Sequence, residues 1–150
     1  MQTIVVKRTI AAPIDQVFEL LSDHAGYSAF AGIKDARLLK AGLDDPNGNG
    51  AVRRIDLGAV WFEEEISNFQ RPTTMDYKIL RSRPPMQHQS GQIRLQQIPE
   101  GTAVTWTSVF RVSIPVIGLV LSPLAAHAGE KAFGSILKTI DRKLTGKAKR

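Results

Sequence analysis

S-P-L-A-A-H-A-G-E-K-A-F-G-S-I-L-K-T-I-D-R-K-L, residues 122–144, is the stretch that decides the architecture. Phe133, Ile136, Leu137, Ile140 and Leu144 fall on one stripe of a helix, while Lys131, Lys138, Arg142 and Lys143 take other faces. The pattern predicts one long amphipathic helix with a single side to bury. Ser122 is expected as its cap and Pro123 as its first residue, where a missing N–H costs no helical bond. Lys143 complements the dipole in the last turn, and Gly146 is the expected stop. About 22 residues at ~1.5 Å each span roughly 33 Å, enough to cross a small sheet. Bulk changes along the helix. The second half carries Phe, Ile and Leu, whereas the first offers Ala125, Ala126, Ala128 and Gly129. Small residues there mean either very close packing against a sheet or a cavity.

A chain of 150 residues is expected to form one domain, 1–150, with a core of its own. The absence of cysteine excludes disulfides, a thiol nucleophile and thiolate metal sites. The N-terminus, MQTIVVKRTIAAP, has neither a basic region before an apolar stretch nor a continuous apolar run, so no signal peptide is read and a cytoplasmic protein is expected. Residues 112–128 are poor in charge, but Pro115, Gly118, Pro123 and His127 interrupt them; a buried or lid-like segment is expected rather than a bilayer span. Net charge is +6, with much of the excess in the last helix and the tail Lys147, Lys149 and Arg150. Such a tail is either simply solvated or is drawn weakly to an anionic membrane surface or RNA.

Upstream, residues 2–10 alternate as a strand with Ile4, Val6 and Arg8 on one face. Ala12-Pro13-Ile14-Asp15 opens a short helix with Val17, Phe18, Leu20 and Leu21 as its apolar stripe, ending near Asp23 and Gly26. A second helical turn is expected around 27–30, and then strands over 33–41 and 51–57, separated by the dense turn signal Asp44-Asp45-Pro46-Asn47-Gly48-Asn49-Gly50. Gly48-x-Gly50 begins a dinucleotide fingerprint only in part, since Arg53 stands at its sixth position and a strand follows, so dinucleotide binding is rejected. Four more strands are expected over 60–69, 75–83, 87–98 and 102–112. Val60, Phe62, Glu64 and Ile66 share a face, as do Met75, Tyr77 and Ile79, and Val104, Trp106, Ser108 and Phe110. The fold class is therefore α+β: an antiparallel sheet of about seven strands, two short helices after the first strand, and one long helix as the second layer. A twisted sheet of that size curls, and a helix that is half Ala and Gly does not fill its concave side.

The stretches I-A-A-P-I-D-Q-V-F-E-L-L-S-D (10–23), G-x-G-A-V-R (48–53), W-F-E-E-E-I (61–66), Y-K-I-L-R-S-R-P-P (77–85) and T-A-V-T-W-T (102–107) complete a layout that resembles the polyketide cyclase/dehydrase and lipid-transport superfamily, also called SRPBCC or START-like. The resemblance covers nearly the whole chain. It implies a helix-grip fold, in which a curved sheet wraps the long helix around an apolar pocket, and it implies hydrophobic-ligand binding more firmly than catalysis. The A-P-x-x-x-V-F start marks the fold and carries no chemistry.

Strand alternation supplies the candidate polar groups. Glu64, if inward among Phe62 and Ile66, is expected as a buried carboxyl with a raised pKa, although Glu63, Glu64 and Glu65 are consecutive and a bulge would change which one faces in. Tyr77 is a hydrogen-bond donor on an apolar wall, and His88 is expected near the pocket mouth. Glu64, His88 and Tyr77 are thus the catalytic candidates, should there be catalysis. Phe30, Phe62, Trp106 and Phe110 join them as ligand-binding candidates on the sheet side, with Ala125, Gly129 and Phe133 on the helix. His24, His88 and His127 lack ligand spacing, so no metal is expected, and no cofactor. Arg53, Arg54, Arg81, Arg83, Arg94 and Arg111 are expected mostly outward, and no RNA-binding motif accompanies them, so nucleic acid is an unlikely partner. Three readings follow. The first is a binder of a small hydrophobic or aromatic molecule, such as a lipid, polyketide-like compound or isoprenoid. The second is a cyclase or dehydratase using pocket acid and base groups; the third is an interaction protein docking on RNA or membrane. A monomer or dimer is expected.

Overall fold

The computed structural model describes residues 1–146. The reading of the tail rested on Lys147, Lys149 and Arg150, which lie outside the described residues.

Seven strands form one antiparallel sheet: β1 (Gln2–Ile10), β2 (Asp35–Lys40), β3 (Val52–Asp56), β4 (Trp61–Gln70), β5 (Thr74–Arg83), β6 (Met86–Ile98) and β7 (Gly101–Val112). Their spatial order is β1-β7-β6-β5-β4-β3-β2. From β2 onward every neighbour in sequence is a neighbour in space, as tight turns dictate, and β7 returns to pair with β1. The first two strands therefore occupy opposite edges. Helix α1 (Ile14–Ser22) and a 3-10 helix (Ala25–Ala29) carry the chain between them. Of the two short helices expected after β1, the second is thus a 3-10 turn that begins and ends slightly earlier than its periodicity suggested.

Helix α1 buries Ile14, Val17, Phe18 and Leu21, the spacing that its sequence sets out. Arg71 holds it against the loop before β3, pairing with Glu19 and Asp45 at 2.8 and 2.7 Å while lying over the rings of Phe18 and Phe69.

The long helix, α2 (Gly118–Thr145), has 28 residues, about 42 Å at 1.5 Å per residue. Ile136, Leu137 and Ile140 are buried, Phe133 and Leu144 are partly so, and Gly146 ends the helix in the left-handed region at φ 72°. Its start differs from expectation. The helix begins at Gly118, so Pro123 lies inside it, and Ser122 does not cap its own first turn. The Ser122 hydroxyl accepts instead from the backbone N–H of Val112 at 2.9 Å, tying the helix to the end of β7. Pro123 is tolerated because this end of the helix is exposed, leaving its freed carbonyl near water. The low-charge segment is the entry to α2, with Val116, Ile117, Leu119, Val120 and Leu124 exposed. No helix among the described residues is long and apolar enough to cross a membrane.

Helix α2 packs on β1 and β7, one flank of the sheet. Arg8 of β1 reaches Asp141 through Nε at 2.9 Å and Nη2 at 2.8 Å. The small residues of the first half do two things. A Cβ on Gly129 would stand 2.6 Å from Ile4 Cδ1, so the close-packing explanation holds at that point. On the rest of this half, facing β3 to β6, a space stays open.

Candidate functional site: a cavity between the sheet and the long helix

That space is a cavity of about 720 Å³. The inward residues of β3 to β7 form its floor and walls, Ala125, Ala128, Gly129 and Ala132 of α2 its roof, and 31–33 part of its rim. An aromatic stack in its lining joins the two layers, Phe133 of α2 on Trp106 of β7, with centroids 4.1 Å apart and planes 9° apart. The lining is mostly apolar: Ile55, Phe62, Ile79, Phe110 and Val112 are typical.

Apart from Lys131, exposed on α2, the polar lining is concentrated on the sheet side. Register places Arg53 of β3 directly opposite Glu64 of β4 on the inner face. Arg53 is 2% exposed, and its Nε and Nη2 both donate to Glu64 Oε1 at 2.8 Å. Burial works against its charge, but the Glu64 carboxylate more than offsets this, so the Arg53 pKa stands above the ordinary arginine value. Nη1 lies 3.2 Å from Nδ1 of His24, whose Nε2 donates to the carbonyl of Asn47 at 2.8 Å. That pairing fixes the tautomer, with Nδ1 as the acceptor. Burial, and then the neighbouring Arg53 charge, push His24 down to about 3, so it is neutral. The rings of Tyr27 and Tyr77 complete the setting, 4.9 and 5.2 Å from the guanidinium carbon. Tyr27 donates its O–H to the carbonyl of Leu21 at 2.6 Å and is thereby occupied.

Tyr77 lies on β5, two residues from Ile79, the direct partner of Glu64. Its ring crosses β6 at Gly91, where a Cβ would come within 2.3 Å of the ring, so only glycine leaves room. His88 stacks beside it, with ring centroids 5.5 Å and planes 17° apart. The Tyr77 oxygen accepts from Trp106 Nε1 at 2.8 Å. Burial pushes the phenol pKa up, the Glu64 charge adds to that, and hydrogen bonds from Trp106 and Ser108 temper it.

The outer face of the same strands explains the run of glutamates. Pairing slips by one residue between Glu63↔Arg81 and Glu64↔Ile79, with Leu80 as the extra residue on β5, while β4 keeps its alternation. Glu64 therefore faces in, Glu63 faces out under Arg81 and Arg54 at 2.7 and 2.8 Å, and Glu65 is exposed. The Arg81 hydrogen bond, and then Arg54, hold Glu63 below the usual carboxylate range despite partial burial.

The matching family model, described as polyketide cyclase / dehydrase and lipid transport, covers residues 1–145. The chain belongs to that family. Membership implies a cavity for hydrophobic ligands in general terms and names no particular one. Solved structures with the same fold include TTHA0849 from Thermus thermophilus, at 18% identity and TM-score 0.77, covering 97% of this chain and 98% of that one. A START superfamily protein from Mycobacterium smegmatis is similar at 15% identity and TM-score 0.72, covering 94% and 98%. A comparison with curated protein sequences gives no significant match.

Within this family architecture, Phe62, Glu64, Tyr77, Trp106, Phe110, Ala125, Gly129 and Phe133 all line the cavity. Two candidates do not. Phe30 ends the 3-10 helix with its edge against Tyr27, ring centroids 5.1 Å apart, and packs on the core. His88 is buried behind Tyr77 rather than near the mouth, because the third residue of β6 already points inward beneath the sheet surface. The Glu64 carboxylate is one half of an ion pair with Arg53. Arg53 is the member that the sequence reading passed over, placing the arginines outward as a group. The signal was present, since Ala51, Arg53 and Ile55 alternate onto one face. Ser108, Tyr27 and His24 were also missed as site residues; Tyr27 lies in, and His24 just before, a five-residue 3-10 helix too short to show a period.

Proposed function

We propose that this protein binds a small hydrophobic or aromatic molecule in the cavity between the sheet and α2. The observation that carries the reading is the combination of about 720 Å³ of mainly apolar space with one polar cluster at its inner wall, the composition of a site that buries an apolar body and orients it by a few groups. Family membership supports it. Binding is favoured over cyclase or dehydratase chemistry because Glu64, the best-placed acid or base, is committed to Arg53 through two hydrogen bonds.

The test is a fluorescence titration with Nile red. The wild-type protein should give a saturable blue-shifted signal. Ala125→Phe and Ala132→Phe, which put bulk into the roof, should weaken it by about tenfold or more, equivalent to ~1.4 kcal/mol. Unchanged dye affinity in both variants, with folded circular dichroism spectra, would reject the cavity as the binding site.

A further inference from the structure

Hydrogen-bond directions along the inner wall constrain what the cavity holds. The backbone N–H of Ile79 donates to His88 Nδ1 at 3.0 Å, so the proton of this imidazole sits on Nε2. Burial, followed by the Lys78 charge, pushes His88 down to about 4, and the ring is neutral. Nε2–H therefore donates to Ser108 Oγ at 3.1 Å. Beside it, the Tyr77 oxygen accepts from Trp106 Nε1 at 2.8 Å. With its oxygen engaged by the indole N–H, Tyr77 still has its own O–H to donate. It has no acceptor among the described residues, and the residue is 4% exposed at the cavity wall. The wall thus presents a buried phenol donor whose oxygen is held by the Trp106 indole.

A second group faces the same space. Both Arg53 contacts fall on Glu64 Oε1, and Oε2 has no partner among the described residues. The Arg53 cation is not free to receive an anion, being engaged by Glu64 and His24 with two tyrosine rings beside it, and the other lining cation, Lys131, lies on the exposed side of α2.

From this pair of vacant functions we infer that the cavity selects a neutral apolar molecule carrying a hydroxyl or phenolic group, which accepts from Tyr77 and donates to Glu64, and that it discriminates against carboxylates. An alcohol satisfies both groups at once. A carboxylate would accept from Tyr77 but place its charge against Glu64, and a hydrocarbon would leave both buried groups unpaired. The inference rests on the cavity reading above and specifies the chemistry of its ligand.

Displacement of Nile red at neutral pH by 2-naphthol, 2-methoxynaphthalene, 2-naphthoate and naphthalene tests it on the wild-type protein. The rings are matched and only the terminal group differs. 2-Naphthol should bind about tenfold or more tightly than each of the others, the usual worth of a charge-assisted hydrogen bond. Tyr77→Phe should reduce the advantage of 2-naphthol over naphthalene, and Glu64→Gln should narrow its advantage over 2-naphthoate. Equal or tighter binding of 2-naphthoate to the wild-type protein overturns this inference while leaving the cavity reading in place. Failure of Nile red itself to bind overturns both. Because the wild-type series decides alone, an unfolded variant does not blunt the test.

Discussion

Removing Arg53 should be among the most damaging single changes in this chain. Arg53→Met fills a similar volume but leaves the Glu64 carboxylate without its cation, in a wall of aromatic and aliphatic side chains, and leaves His24 Nδ1 without its donor. Breaking a buried pair by deleting one partner costs about 3–5 kcal/mol, against roughly 5–15 kcal/mol for the stability of a whole domain. With a urea slope of about 2 kcal/mol/M, the unfolding midpoint should fall by roughly 2 M. The double variant Arg53→Met/Glu64→Leu removes both charges and should be more stable than Arg53→Met alone, since an apolar pair of similar volume carries no desolvation penalty. Urea titrations of the wild type, the two single variants and the double variant, followed by tryptophan fluorescence, close the cycle. A loss below about 1 kcal/mol for Arg53→Met, or single-variant losses that simply add in the double variant, would refute the claim that the two residues act as one buried unit.

Acid should weaken the fold well before carboxylates protonate. His24 is held near 3 in the folded chain against an ordinary value of 6.5, so as pH falls below about 6.5 the unfolded chain takes up the proton first; stability drops by up to about 1.4 kcal/mol per pH unit. His88, held near 4, acts in the same direction. Urea midpoints measured from pH 7.5 down to about 4.5 should decline, and less steeply in His24→Gln; a flat profile would mean that the histidines are not buried neutral. Gly91→Ala should drive the Tyr77 ring from its place, costing about 1–3 kcal/mol and altering the near-ultraviolet circular dichroism of Trp106, whose indole N–H would lose its acceptor. An unchanged aromatic spectrum would contradict the close contact.

Much of the fold was legible because it is written in periods. Alternation in β4, β5 and β7 put Phe62, Tyr77, Trp106 and Phe110 on candidate ligand-facing sides while leaving open which of Glu63, Glu64 and Glu65 faces in, and the heavier half of α2 announced Ile136, Leu137 and Ile140 as its buried stripe. Where the chain is held by a tertiary bond instead, local rules misled. Ser122-Pro123 reads as a helix start, yet the serine serves β7 and the helix began a turn earlier. Arg53 was misplaced because arginine on a strand usually faces water; only its opposition to Glu64, which register supplies and composition does not, stabilises an inward guanidinium. His88 was expected at the mouth because of the prolines before it, but its neighbours Ser108 and Ile79 come from strands 20 and nine residues away in sequence.

Helix α2 is built like a cantilever. Its far end is clamped by Ile136, Leu137 and Ile140 and by the Arg8–Asp141 pair, whereas the half that roofs the cavity is secured chiefly by Ser122 and by the contact of Gly129 with Ile4. Load and capacity are thereby assigned to different parts of one element. Side chains at Ala125, Ala128 and Ala132 can grow or shrink to suit a differently shaped cargo while the clamp goes on supporting the fold, so the volume of the chamber is free to drift over evolutionary time without unfolding the protein that encloses it.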